Sequence, residues 1–202
     1  MPVDHNTELE VKNGFHQFDH TLELIRYHLE PDRPFALRVP LILELQNQAV
    51  KGIESSAGQI RNSVVGISKS KHTPPAPFLV QGLMTELCEY INDNWHEQTA
   101  FKLSAYAMWR LNWIHPFTDG NGRTSRALSY ALLNLKLGYV LPGSPTILQQ
   151  IEEDNSHYIE ALEMADEAER QLKIDVTEME KMIRSMLAKQ LLSVIDAADS
   201  RS

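Results

Sequence analysis

The stretch that decides the fold and the chemistry of this chain is His115-Pro-Phe-Thr-Asp-Gly-Asn-Gly-Arg-Thr-Ser-Arg126. It separates two segments in which apolar residues recur at helical spacing, so it is predicted to be a loop that opens into a helix. Gly120 and Gly122 permit backbone angles that are costly for other residues, so successive N–H groups can point into one concavity. Unpaired amides and the positive dipole end of the following helix would favour an anion there.

The charged side chains of this stretch point to phosphate chemistry. Arg123 and Arg126 share one side of the helix, and because cations in a first turn are unfavourable, a bound anion would explain both. Asp119 would repel phosphate unless a divalent cation such as Mg²⁺ bridged its carboxylate and two phosphoryl groups. His115, held off the helix by Pro116, could take the proton of an attacking hydroxyl. The stretch therefore predicts a phosphoryl or nucleotidyl transfer site.

Helical periodicity dominates the rest of the chain. It predicts helices over about 15–29, 40–52, 79–91, 103–114, 127–137, 155–165 and 175–195. Gly138 would end the fifth helix, and Asp154 or Asn155 would cap the sixth. The fold class is predicted to be all-α.

The segment 58–77 is the exception. Its β-branched residues flank an Asn62-Ser63 turn, which predicts a small β-hairpin flap. The proline-rich residues 72–77 predict an extended connection after it.

Composition narrows the class of protein. A chain of 202 residues that is 43% hydrophobic can bury one sizeable core, and its net charge of -8 argues against a general nucleic-acid binder. The single cysteine, Cys88, excludes an internal disulfide framework and is typical of a reducing cytoplasm. We expect no export through a signal peptide and no membrane span, because the sequence has no such apolar run. Neither a Gly-x-x-x-x-Gly-Lys nor a His-Glu-x-x-His motif is present, which removes two rival enzyme classes.

Residues 115–126 resemble the signature of the Fic (Fido) family, His-Pro-Phe-x-(Asp/Glu)-Gly-Asn-Gly-Arg-x-x-Arg, at every fixed position. Three further parts of the chain resemble the family. Ala57-Gly-Gln-Ile-Arg61 with His72-x-Pro-Pro75 resembles its flap, and Leu83-Met84 resembles the helix behind the flap. Asn155-Ser-His-Tyr158 resembles the Asn-x-x-Tyr on its nucleotide side. The resemblance implies a Fic-type helical bundle over residues 37–175. Residues 1–36 would form an N-terminal helical extension, and residues 176–202 a C-terminal helix packed on the core.

The resemblance also implies a function, that of a protein adenylyltransferase. Such an enzyme transfers AMP from ATP to a Ser, Thr or Tyr hydroxyl of a target protein and releases pyrophosphate. His115 would deprotonate that hydroxyl, and Asp119 would hold Mg²⁺. The implied nucleotide- and phosphate-binding residues are Gly120, Asn121, Gly122, Arg123, Arg126, Asn155 and Tyr158. The implied residues of the target-docking flap, which would pair with the target's main chain, are Gln59, Ile60, Arg61, Val64, Val65 and Ile67.

Two alternatives stay open. One is another Fic chemistry: transfer of UMP, phosphate or phosphocholine, or removal of AMP. The other is a catalytically idle nucleotide-binding or interaction module. Gly122 favours AMP transfer, because phosphorylating relatives tend to carry lysine there. The family's inhibitory Ser/Thr-x-x-x-Glu-Gly/Asn segment has no intact copy, so an inhibitor would be a separate protein, a second protomer or a diverged segment such as 21–26.

Overall fold

The computed structural model describes residues 5–68 and 70–199, and regular structure in this part of the chain is entirely helical. The helices are α1 (His5–Leu29), α2 (Val39–Val50), α3 (Pro77–Asp93), α4 (Ala100–Ile114), α5 (Asn121–Leu137), α6 (Ile147–Glu153), α7 (Ser156–Arg170) and α8 (Thr177–Asp199). None of these described helices has the apolar length needed to cross a bilayer.

The antiparallel pair α4 and α5 forms the centre of the bundle. Most residues of both helices are buried, as expected for helices that are covered on several sides. α1 and α2 pack on α5, and α3, α7 and α8 pack on α4. Residues 115–120 join the end of α4 to the start of α5, so this loop lies at one end of the bundle.

Polar contacts fix α7 on this central pair. The indole Nε1 of Trp109 donates to Asp166 Oδ1 at 2.9 Å, and Arg110 Nη1 pairs with Glu169 Oε1 at 3.1 Å. These contacts join α4 to the C-terminal half of α7 along buried or partly buried side chains.

The predicted helices are confirmed, including the glycine that ends α5. Gly138 has φ +85° and its N–H donates to Asn134 O at 2.9 Å, which closes the helix in the left-handed conformation. The sequence pattern did not predict α6, which has only seven residues. Thr146 and Gln149 form a reciprocal capping box at its start, and this motif was the available signal.

The predicted β-hairpin is wrong. The described residues of the segment, 58–68 and 70–77, contain no strand. Arg61 is buried, and its N–H donates to Pro116 O at 2.9 Å, so the segment is tied to the α4–α5 loop. In its described residues the flap is irregular, with a bend at Ser63. The β preference of its branched residues does not produce a strand where no partner strand is available to pair with.

Candidate active site

His115 is the C-terminal cap of α4. Its backbone lies in the left-handed region at φ +49° and ψ +59°, and its N–H donates to Leu111 O at 3.0 Å. Pro116 cannot continue the helix, so the chain leaves α4 at this point. Phe117 then inserts into the core with no exposed surface, and it anchors the loop as its apolar character predicts.

The side chain of Asn121 holds the loop from within. Its Oδ1 accepts from Phe117 N at 3.0 Å and its Nδ2 donates to Phe117 O at 2.9 Å. Asn121 is 3% exposed, so this amide acts as an internal brace and its backbone N–H is the part left for a ligand.

Gly120 makes the tight entry into α5. It has φ +80°, and a Cβ at this position would lie 2.8 Å from Val50 Cγ1. Both facts exclude a larger residue. The first hydrogen bond inside α5 runs from Thr124 N to Gly120 O at 2.9 Å. The amides of residues 121–123 therefore have no acceptor within the helix, as the anion-binding prediction requires.

The two arginines of the motif differ in their contacts. Arg123 Nη1 donates to Ala49 O at 2.8 Å, and its Nη2 pairs with Asp119 Oδ2 at 3.2 Å. Arg126 has only a long ion pair, 3.9 Å from Nη2 to Glu152 Oε1, and its guanidinium carbon lies 5.8 Å from the Tyr158 ring centroid. Among the described contacts, Arg126 makes no hydrogen bond from its guanidinium. It is the arginine with free donors.

Both arginines line a cleft of about 610 Å³ between α1, α5 and α6. α1 contributes three apolar side chains, Val11, Phe15 and Phe18, together with Glu10 and Gln17, and α5 contributes the two cations. The volume is within the range of small-molecule sites in proteins.

Burial sets the charge of His115. Desolvation is the largest effect and lowers the pKa of its imidazole to about 4, while the bond to Asn112 opposes that shift. The positive charge of Arg61 and the neighbouring His72 lower this pKa further, and Asp119 raises it. His115 is therefore neutral near pH 7, which is the form that accepts a proton.

Asn112, which sequence reasoning missed, joins three helices at the site. Its Nδ2 lies 2.6 Å from Ser125 Oγ and 2.7 Å from Tyr158 OH. The bond to Tyr158 spans 46 residues, so no local pattern could have predicted it. The structure thus brings Tyr158 beside α5, whereas Asn155 is exposed at the start of α7 and no described hydrogen bond joins it to the loop.

Gln46 is a second residue that the sequence reasoning missed. It has no exposed surface; its Nε2 donates to Asp119 O at 3.0 Å and its Oε1 accepts from Gly58 N at 2.6 Å. It ties the metal-ligand candidate to the start of the flap. A polar residue on the apolar face of α2 was the signal in the sequence.

The flap presents its residues on two sides. Gln59 and Val64 are exposed, with Val64 at 81%, while Ile60, Val65 and Ile67 are half-buried. Arg61 is the one buried residue among positions 59–68.

Asp119 is the only carboxylate of the loop, and half of its side chain is exposed. Its Oδ1 accepts from Gly120 N at 2.6 Å, and the other oxygen faces Arg123. No group of three or more metal-binding side chains occurs in the described ranges. One carboxylate fits Mg²⁺ that is bound together with phosphate oxygens and water, since this cation keeps most of its ligands from substrate and solvent.

Comparison with known proteins gives one family. The sequence model of the Fic/DOC family matches residues 36–133. The protein adenylyltransferase Fic of Aedes aegypti is 33% identical over 134 residues, which cover 63% of this chain and 24% of that protein. The protein adenylyltransferase fic-1 of Caenorhabditis briggsae is 31% identical over 119 residues, which cover 58% of this chain and 22% of that protein. The chain thus spans about a quarter of the length of these curated relatives.

Solved structures share the fold. Fic-1 from C. elegans superimposes with a TM-score of 0.75 at 21% identity, covering 100% of this chain and 56% of that one. A Fic domain containing signaling protein from Bacteroides thetaiotaomicron superimposes with a TM-score of 0.74 at 22% identity, covering 96% of this chain and 75% of that one. These similarities extend over helices that lie outside residues 36–133.

Proposed function

The chain belongs to the Fic/DOC family through residues 36–133, and we propose that it is a protein adenylyltransferase that moves AMP from ATP to a Ser, Thr or Tyr hydroxyl of a target protein. One observation carries the proposal. A neutral, oriented imidazole and a carboxylate lie on the α4–α5 loop, and three amides without an acceptor in the helix and an arginine with free donors follow within the first two turns of α5. This is the set that nucleotidyl transfer needs, because positioning and charge stabilisation do most of the work in that chemistry.

His115 acts as the general base. Its Nδ1 faces Asn112 O at 3.3 Å and carries the hydrogen, which leaves the lone pair on Nε2. As the target oxygen bonds to the α-phosphorus, its proton passes to Nε2 and the bond to the β-phosphate oxygen breaks. Pyrophosphate leaves, and the target carries AMP as a phosphodiester.

The start of α5 holds the phosphates. The amides of residues 121–123 and the helix dipole face the anion, and Arg126 turns its free donors onto the terminal phosphate. Arg123 keeps Asp119 in place. Mg²⁺, which Asp119 would hold together with the phosphates, supplies charge neutralisation when bound.

The flap receives the target. Residues 62–66 belong to no helix or strand, and no described backbone hydrogen bond uses their amides. A target segment could therefore add itself as a strand, with main-chain bonds that fix its register and ask little of its side chains. Such docking would explain a segment that is rich in β-branched residues but has no partner strand of its own.

The cytoplasmic location and the inhibitory partner remain predictions.

Incubation with ATP labelled at the α-phosphate, Mg²⁺ and a cell lysate tests the proposal. Label should appear on protein with the wild type and disappear with His115→Ala, while His96→Ala, which removes an exposed histidine outside the loop, should keep it. Label from γ-labelled ATP alone would indicate phosphate transfer, and label from UTP alone would indicate UMP transfer. Binding of ATP without any label on protein would contradict the proposal and favour an idle module.

A further inference from the structure

Arg61 is a buried cation whose described contacts include no carboxylate. It is 4% exposed. Its Nε donates to His115 O at 2.7 Å, its Nη1 donates to Ser63 O at 2.9 Å, and its Nη2 donates to Pro75 O at 2.7 Å and faces Ile114 O at 3.4 Å. Burying an ion is costly unless its donors are satisfied. Main-chain carbonyls do this here.

These carbonyls belong to three separate segments. Ile114 and His115 form the C-terminal end of α4, where the helix dipole is negative and a cation is favoured. Ser63 lies in the middle of the flap, and Pro75 lies where the flap ends. The backbone of Arg61 adds a fourth link through its bond to Pro116 O. One side chain therefore sets the distance between the flap and the catalytic loop.

We propose that Arg61 is a positioning residue that locks the target-docking flap and the His115 loop into one arrangement, so that a docked hydroxyl meets the imidazole. The inference rests on the proposed function and deepens it. Arg61 is too deeply buried to bind the target through its own side chain. Lysine could not replace it. A single ammonium cannot bond three carbonyls that lie in different directions, whereas the planar, forked guanidinium can.

The charge of Arg61 gives the same residue a second effect. The charged or titratable groups that face His115 are Arg61, His72 and Asp119. The guanidinium disfavours a second positive charge on the imidazole, so it helps to keep the base neutral. Fork geometry and charge can be separated by substitution.

Two variants of the full chain separate these effects. Arg61→Lys keeps the charge and loses the fork, whereas Arg61→Gln loses both. Amide exchange by NMR reports the flap through the N–H groups of residues 58 and 61, which are bonded to Gln46 and Pro116. Both variants should exchange there about tenfold faster than wild type, while amides in the middle of α1 stay unchanged. The pKa of His115, followed by its ring signals, should rise in Arg61→Gln and stay near the wild-type value in Arg61→Lys.

Titration with Mg²⁺ and ATP completes the test, because Arg61 makes no described contact with α5. Affinity should change less than twofold in both variants. Unchanged amide exchange at residues 58 and 61 in a folded variant would overturn the inference. If Arg61→Gln does not fold, Arg61→Lys alone tests it. If wild type transfers no AMP but the variants loosen the flap as expected, the proposed function fails and the positioning role stands.

Discussion

The Nδ1 atom of His115 lies 3.3 Å from the main-chain oxygen of Asn112, one turn earlier in α4. A carbonyl oxygen can only accept, so this contact assigns the hydrogen to Nδ1 and leaves the lone pair on Nε2 to accept a proton. The helix that ends at the base therefore also orients it. Asn112 extends the link, since its side chain reaches Ser125 and Tyr158.

The pH dependence of activity follows from the burial of this imidazole. Because desolvation lowers the pKa of His115 to about 4, the base should stay neutral down to mildly acidic pH. We expect kcat/KM for AMP transfer to be flat from about pH 8 to 5 and to fall only as the pH approaches about 4, instead of near 6.5. A rate profile measured alongside NMR titration of the His115 ring checks this. An acid limb near 6.5 in both measurements would contradict it.

The same pKa makes the fold sensitive to acid. The folded protein binds this proton more weakly than the unfolded chain, so protonation favours unfolding. The stability contribution is fully present above the unfolded pKa of about 6.5 and is lost as the pH falls through that value toward about 4. Urea unfolding at pH 7 and pH 4.5 should show a smaller drop for His115→Asn than for wild type. Equal drops would show that His115 does not titrate in this window.

The brace made by Asn121 should matter for stability as well as for activity. Asn121→Asp keeps an acceptor for Phe117 N but faces Phe117 O with a carboxylate that cannot donate. We expect a loss of about 1–3 kcal/mol in the free energy of unfolding, measured in urea, together with a loss of AMP transfer. Asn62→Asp makes the same chemical change at an exposed flap position and should leave the free energy of unfolding nearly unchanged.

The contact between Gly120 and Val50 can be tested by a double-mutant cycle. Gly120→Ala places a methyl group 2.8 Å from Val50 Cγ1 at φ +80°, and the left-handed backbone alone costs about 1–2 kcal/mol. Val50→Ala removes the clash but not the backbone strain, so Gly120→Ala should be less harmful in that background. Urea unfolding of the four proteins gives the coupling. Strictly additive losses would mean that the methyl group is accommodated elsewhere.

Local signals in the sequence predicted the backbone of the candidate site, and tertiary contacts decided the surroundings of its side chains. The motif predicted the loop, the start of α5 and the buried anchor Phe117, because each depends on backbone freedom or apolar character over a few residues. The hairpin was wrong because strand preference depends on a partner, and the bonds of Arg61 to Pro75 and His115 compete with that pairing. The role of Asn112 depends on Tyr158, which only the packing of α7 brings near.

The contrast between Arg123 and Arg126 predicts different consequences for their removal. Arg126→Ala should weaken ATP binding at least tenfold, about 1.4 kcal/mol, and change the free energy of unfolding by less than about 0.5 kcal/mol. Arg123→Ala should lower both the affinity for ATP and the free energy of unfolding, because Arg123 also bonds to Ala49 O and Asp119. Calorimetric titration with Mg²⁺ and ATP, paired with urea unfolding, measures the two effects. Full transferase activity in Arg126→Ala would remove this arginine from the site.

Glu152 is the one carboxylate that the described contacts pair with Arg126, and on the proposed function it would compete with an incoming phosphate. The pair is long, 3.9 Å, and Glu152 is 66% exposed, so it contributes at most about 1 kcal/mol. Glu152→Gln should therefore tighten ATP binding by up to about fivefold at low ionic strength, and the gain should shrink as salt screens the pair. Glu153→Gln, one residue further along α6 and also exposed, is the matched control. An equal gain in both variants would reflect general charge rather than competition for Arg126.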